Sequence, residues 1–333
     1  MKNLWIWIAI IVVAVGGYFT VSRAPEAPDA TKIKIGVIAP LTGIAADYGA
    51  EMKAGIEAAG GTGIEFVYED DKCDPKDAVA AYRKLVDFDK LSLIIGPACG
   101  SPQEAIAPLV KEDDVVVIVP SAASRGLYAG SGGKMYDMQY ALESEAEFLA
   151  KQMHDVLKYE KVAVISYQNA FSKTLADSFK KAYGEEHVVR EAIFTGTETD
   201  ISSGLLKLKS GEYDAIFSTD ISFFFAQGLK KLKDLKIDTP VFSSYAVELP
   251  ALRPLVEGVA YSFPGDMEEN GRGAIYNITK ESVELLDEAA RACEGENACI
   301  KKAIGDSGMF DENGANVRRL VLKRIKGGAP EAY

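Results

Sequence analysis

The chain has 333 residues, more than one hydrophobic core usually fills, so two domains are expected. Its 48% hydrophobic and 26% charged content is that of a globular protein. A formal net charge of −12 argues against nucleic acid or an anionic membrane surface as the main partner, because both reward basic patches; the acidity reads as solubility.

Residues 1–31 read as lying outside the fold. Residues 4–21 are uncharged and almost wholly apolar, near the lower limit for spanning a bilayer and longer than a usual signal-peptide core. A Pro/Ala linker follows at 22–30. An uncleaved single-span anchor and a cleaved signal peptide both remain open. Either places the rest of the chain outside the cytoplasm, and Lys2 on the short side gives slight positive-inside support. No Cys follows the apolar run, so a diacyl-lipid anchor is excluded.

Residues 32–39 read as a first strand, ended by Pro40-Leu41-Thr42-Gly43. A helix is predicted over 45–59, with Met52, Ile56 and Ala59 on one face, then a strand over 64–69. Asp74-Pro75-Lys76-Asp77 is a helix start, with Asp as N-cap, Pro at the first position and an acid in the first turn; the helix runs to about 86. Ile94-Ile95 and residues 115–119 are apolar runs that read as strands buried on both faces, joined by a helix over 103–111. Each run stops at small residues, Cys99-Gly100-Ser101 and Ser121-Ala122-Ala123-Ser124. In a parallel sheet, ligands sit outside the carboxyl ends of the strands, and these residues offer little bulk and open N–H groups there. Ordinary tight turns between strand and helix also favour such residues.

From residue 143 the pattern restarts. Helices are predicted over 144–157, 172–183, 201–209 and 223–235, alternating with strands over 161–166, 188–194, 213–218 and 240–243. A strand over 259–263, helices over 278–293 and to about 304, a turn at Phe310-Asp311-Glu312-Asn313-Gly314, and an edge-like strand or hairpin arm over 317–325 follow; the tail 327–333 is expected to fray. Two parallel α/β units meet at Tyr140-Ala141-Leu142 without a long linker, which suggests a hinge and a ligand crevice between them.

Four cysteines in an exported chain read as two disulfides. Cys293 and Cys299 close a short polar loop, which leaves Cys73 with Cys99. A four-Cys zinc site is the alternative, although neither pair has the close spacing of a zinc knuckle. Catalysis is disfavoured: the chain has two histidines, His154 and His187, away from the strand-end loops, and no glycine-rich phosphate motif follows a strand. No cofactor or metal is expected.

Five segments together resemble the type I periplasmic solute-binding proteins of ABC importers, in the branched-chain amino acid branch. They are Ile35 to Gly43, Tyr48-Gly49, Asp70 to Ala78, Ile95-Gly96-Pro97-Ala98-Cys99, and Phe310 to Gly314. The resemblance covers about 32–328 and implies a two-lobed Venus flytrap with three crossings, near Tyr140, Pro264 and Asn316. One lobe would take 32–140 plus 265–316, and the other 141–264 plus 317–333. It also implies a disulfide between Cys73 and Cys99, and a monomer that captures a solute and presents it to a membrane permease.

The resemblance further implies where a solute would bind. In the amino-acid binders its carboxylate meets a Ser just after the second Cys; the matching position here is Gly100, with Ser101 next and Cys99 before it. The ammonium there meets a carbonyl and a Thr, which fall on Ser121 and Ala123 around Ala122, with Ser124 one residue on. Tyr48 and Phe171 match the cleft aromatics, although both also fit plain core positions. The acid that meets the ammonium falls near Tyr245-Ala246, where none stands; Glu248 and Asp220 are the candidate substitutes. The expected solute is small and polar, an amino acid first, with amides or carboxylates as the alternative. A membrane-anchored sensor acting through a separate partner is the rival reading: with residues 1–3 ahead of the apolar run, no cytoplasmic output domain is expected on this chain.

Overall fold

The computed structural model describes residues 33–60, 63–195, 201–219, 223–267 and 271–333. The apolar stretch 4–21, the linker and Asp220 lie outside the described residues. Among the described residues no helix is long and apolar enough to cross a membrane.

The first sheet holds β1 (Ile33–Ala39), β2 (Ile64–Asp70), β3 (Leu93–Ile95), β4 (Val116–Val119) and β5 (Met135–Asp137), all parallel, in the order β2-β1-β3-β4-β5. β3, β4 and β5 are buried along their whole length, as continuous apolar runs require when helices cover both faces. The helices are α1 (Ala46–Ala59), α2 (Pro75–Arg83), α3 (Gly100–Glu112) and α4 (Arg125–Gly130). At the start of α2 the Asp74 carboxylate accepts from the N–H groups of Lys76 and Asp77, so the expected cap is present. A π-helical turn, Lys84–Phe88, continues α2.

The second sheet holds β6 (Val162–Tyr167), β7 (Val188–Phe194), β8 (Ala215–Ser218), β9 (Val241–Ser243), β10 (Ala260–Pro264), β11 (Leu320–Lys326) and β12 (Ala329–Ala332), in the order β12-β11-β10-β9-β8-β6-β7. Strands β6 to β10 are parallel, whereas β11 and β12 run antiparallel. Its helices are α5 (Leu142–Lys151), α6 (Ala170–Tyr183), α7 (Ser202–Leu206) and α8 (Phe223–Asp234). Two later helices, α9 (Ala274–Ala292) and α10 (Asn297–Gly305), return to the first lobe, where α9 packs on α1.

Three elements depart from expectation. β5 and α4 carry no sequence signal: a strand of three residues and a helix of six show no period. The tail does not fray. Gly327 and Gly328 both have positive φ, 59° and 74°, and make a two-residue hairpin turn that returns the chain as β12.

In both sheets the strand order reverses, between β1 and β3 and between β6 and β8. A crevice opens at such a switch point, outside the carboxyl ends of the strands. The loops at these two points face each other, and one apolar core extends from Ile35 and Val116 of the first sheet to Val164 and Phe217 of the second.

Candidate functional site

The loop after β1 is fastened from β2. Asp70 accepts from the N–H groups of Leu41 (2.9 Å), Thr42 (3.3 Å) and Lys72 (3.0 Å) and from the Thr42 hydroxyl (2.5 Å). Burial would raise the Asp70 pKa, but these bonds outweigh it and hold the carboxylate below its ordinary value. In α1, a Cβ at Gly49 would stand 2.3 Å from the Pro40 carbonyl oxygen, so only glycine allows the helix this close. Tyr48 is thereby set half-buried at the mouth of the crevice.

The turns after β3 and β4 are braced together. Cys99 precedes α3 and is bonded to Cys73, with 5.5 Å between their Cα atoms; the second disulfide joins Cys293 to Cys299. The buried Ser121 hydroxyl donates to the Ala98 carbonyl (2.7 Å) and accepts from Gln103 Nε2 (2.8 Å), which also donates to the Pro97 carbonyl (3.1 Å). The Ser121 hydroxyl therefore serves the turn itself. Gly100, Ala122 and Ala123 present backbone and small side chains, and Ser101 lies in the first turn of α3.

From the second lobe, Asn169 caps α6 through the Ser172 N–H (2.9 Å) and sets Phe171 in its first turn. Phe171 meets Gly100 across the crevice: a Cβ at Gly100 would lie 3.2 Å from the Phe171 nitrogen and 3.4 Å from its Cβ. The gap here, lined by Gly100, Ala123, Ser124, Leu142, Phe171 and Thr174, holds about 10 Å³, the room of one water. The two lobes are thus in contact at this point.

Tyr245 follows β9 in a short 3-10 turn and is fully buried. Its ring stands edge-on to Tyr140 at 6.1 Å, and the Ala122 backbone N–H of the other lobe faces its hydroxyl. Burial pushes its pKa well up, and Tyr48, Glu145 and Asp137 add to this. Behind it, burial also holds the Asp137 carboxyl well above the usual range, against the backbone N–H groups of Gln139, Ala123 and Tyr140.

The structure sets Gly100 against Phe171, and Ala122 and Tyr48 beside Tyr245; Cys99, Ser121 and Ala123 lie in the turns after β3 and β4, with Ser101 in the first turn of α3. It sets Glu248 apart. That carboxylate accepts from the Tyr261 hydroxyl and lies 3.7 Å from Lys323 Nζ, whose ammonium also covers the Phe263 ring at 3.9 Å. Its charge is met inside the second lobe, by strands the sequence could not place beside it. Asp220, after β8, lies outside the described residues.

Sequence reasoning missed Gln103, Asp137 and Glu145. A glutamate in Leu142-Glu143-Ser144-Glu145-Ala146-Glu147 reads as part of a solvent face, yet Glu145 is fully buried while Glu147 is exposed. The two histidines also come together, with ring centroids 5.7 Å apart at the amino-terminal end of β7, opposite the crevice. Among the described residues no group of three His, Cys, Asp or Glu side chains could hold a metal ion.

Comparison with known proteins agrees with this architecture. The Leu/Ile/Val-binding protein BraC3 of Rhizobium johnstonii is 31% identical over 198 residues, which are 56% of this chain and 53% of that protein. The chain spans about half the length of the curated relatives it matches. The leucine-binding protein LivK of Thermotoga maritima superposes with a TM-score of 0.83 at 20% identity, over 90% of this chain and 97% of that one. A solute-binding protein of an R. palustris ABC transporter, solved with benzoate, gives 0.80 at 18% identity, over 90% and 95%. These two likenesses show the fold. A model of the periplasmic binding protein family matches residues 32–267, and the chain belongs to that family.

Proposed function

We propose that this chain is an extracytoplasmic solute-binding protein that captures a small polar solute between its lobes and delivers it to an ABC-type permease. The observation that carries the reading is the meeting of the two switch-point loops, with Gly100 seated on Phe171. A site of this kind closes over a solute without needing reactive groups. The lobes are taken as 32–140 plus 265–316 and 141–264 plus 317–333, with crossings near Tyr140, Pro264 and Asn316.

Kinship with Leu/Ile/Val-binding proteins supports an amino acid as the solute. A second reading, an amide or carboxylic acid without an ammonium, is favoured by Tyr245. That side chain stands where an acid would be needed, Glu248 is engaged elsewhere, and Asp220, the other candidate, lies outside the described residues. A buried ammonium without a counter-charge would cost several kcal/mol.

A thermal-shift screen of the protein against amino acids, amides and small carboxylates tests both. A solute at a hundred times its dissociation constant adds about 2.7 kcal/mol of stability. A hit among aliphatic amino acids supports the first reading, and a hit confined to acids or amides supports the second. A shift with none of the panel counts against capture of this class of solute. Co-purification of a permease, rather than of a signalling subunit, separates transport from sensing.

A further inference from the structure

We propose that Glu145 is a proton-linked hinge pin: its buried carboxyl, bonded to Tyr140 on one crossing and to Ser262 beside the next, favours closure when protonated and opening when ionised. This rests on the crossings assigned above.

The geometry is that of a carboxyl enclosed without a counter-charge. Glu145 is 0% exposed in α5. Its Oε1 accepts from the hydroxyls of Ser262 and of Tyr140, the latter at 3.3 Å. Ser244 and the backbone of Tyr245 also face the carboxyl, and among the described residues Nδ2 of Asn316 on the third crossing makes no hydrogen bond.

Among the described residues no cation faces the carboxyl. Tyr140 approaches from the first crossing, and Ser244 and the phenol of Tyr245 from the turn after β9, with Asp137 behind Tyr245. β10 contributes Ser262. On β11, the Lys323 ammonium is held by Glu248 and the Phe263 ring. From α6 come Phe171, Leu175 and Phe179, and the Tyr183 hydroxyl donates to the Tyr159 carbonyl instead. From the π-helical turn Gln152–Val156 comes Met153.

Burial raises the Glu145 pKa to about 7, with the hydrogen bonds from Ser262, Ser244 and Tyr140 opposing it. Opening admits water and returns the group towards the ordinary 4.5. The closed state then binds the proton more tightly than the open one. Closure is favoured at low pH, weakens as pH climbs from about 4.5 to about 7, and levels off above that. The closed-to-open ratio falls about tenfold between pH 6 and pH 8. Solute affinity, which needs the closed state, falls in step.

The test is hydrogen exchange, read by mass spectrometry on the full chain without solute, corrected for the intrinsic effect of pH. Peptides covering 137–145 and 258–264 are expected to lose protection about tenfold between pH 6 and pH 8. Glu145→Gln is expected to abolish that change. Equal protection at both pH values in the wild type, or the same response in the variant, overturns the proposal. If Glu145→Gln does not fold, Ser262→Ala keeps the carboxyl and removes one donor to its ionised form. Its midpoint is then expected at higher pH, and an unmoved midpoint overturns the proposal. No solute enters the measurement, so a failed solute screen leaves this result readable, and a flat exchange profile leaves solute capture standing.

Discussion

Replacing Cys73 and Cys99 by serine tests whether the crevice is held by a covalent clamp. The bond joins Cys73, three residues beyond β2, to the residue before α3, across a separation of 26 residues that includes α2 and β3. Closing a loop of that length removes about 3.5 kcal/mol of freedom from the unfolded chain in the chain-entropy model. The Cys293–Cys299 bond spans a separation of only 6, for which the same model gives about 2.3 kcal/mol. At about 2–4 °C per kcal/mol, the Cys73/Cys99 double-serine variant is expected to melt about 7–14 °C below the wild type. The Cys293/Cys299 variant is expected to lose distinctly less. Scanning calorimetry of the three proteins without reductant gives both values. A smaller loss for the Cys73/Cys99 pair than for the Cys293/Cys299 pair would refute the reasoning, because loop length alone sets the order.

Two further outcomes are expected. Gly100→Leu should wedge the lobes apart at Phe171 and weaken solute affinity at least a hundredfold; without solute the melting temperature should stay within about 3 °C of wild type, because the lobes can part. Affinity equal to wild type would show that the contact is not part of the closed state. The second concerns Asp71, which is fully buried beside the clamp and accepts from the Cys73 N–H at 2.9 Å. Burial, with Asp70 and Asp77 adding to it, raises its pKa to about 6 from 3.8. An acid raised in the folded state contributes stability at low pH that is lost as pH climbs through 4 to 6. Asp71→Asn should therefore gain about 2 kcal/mol on the wild type between pH 4.5 and pH 7, measured by urea unfolding. A constant difference across that range would mean that Asp71 does not titrate there.

Comparing sequence with structure shows where local pattern suffices. The apolar runs 94–95 and 115–119 needed no partner to be read as buried strands, because β-branched residues without a polar face have nowhere else to go. The Asp74-Pro75 start of α2 was equally plain, since a cap is satisfied by N–H groups two and three residues away. The hairpin at Gly327-Gly328 was legible in principle, but a strand of four residues after it has no period to read. β5 is another such strand; it exists because β4 lies beside it and Asp137 bridges to Ala315.

The sequence by itself determined the alternation of strands and helices, the two α/β units and the strand-end loops. These follow from spacing within a short span of chain. Only the tertiary structure decided which polar groups are already engaged within the fold. Glu248 was spent on Lys323 and Tyr261, Ser121 on Ala98 and Gln103, and Glu145 was enclosed at a crossing. In each case the deciding partner comes from another element, up to 117 residues away for Glu145 and Ser262. A charge is settled by what surrounds it in space, and sequence spacing carries that information only for near neighbours.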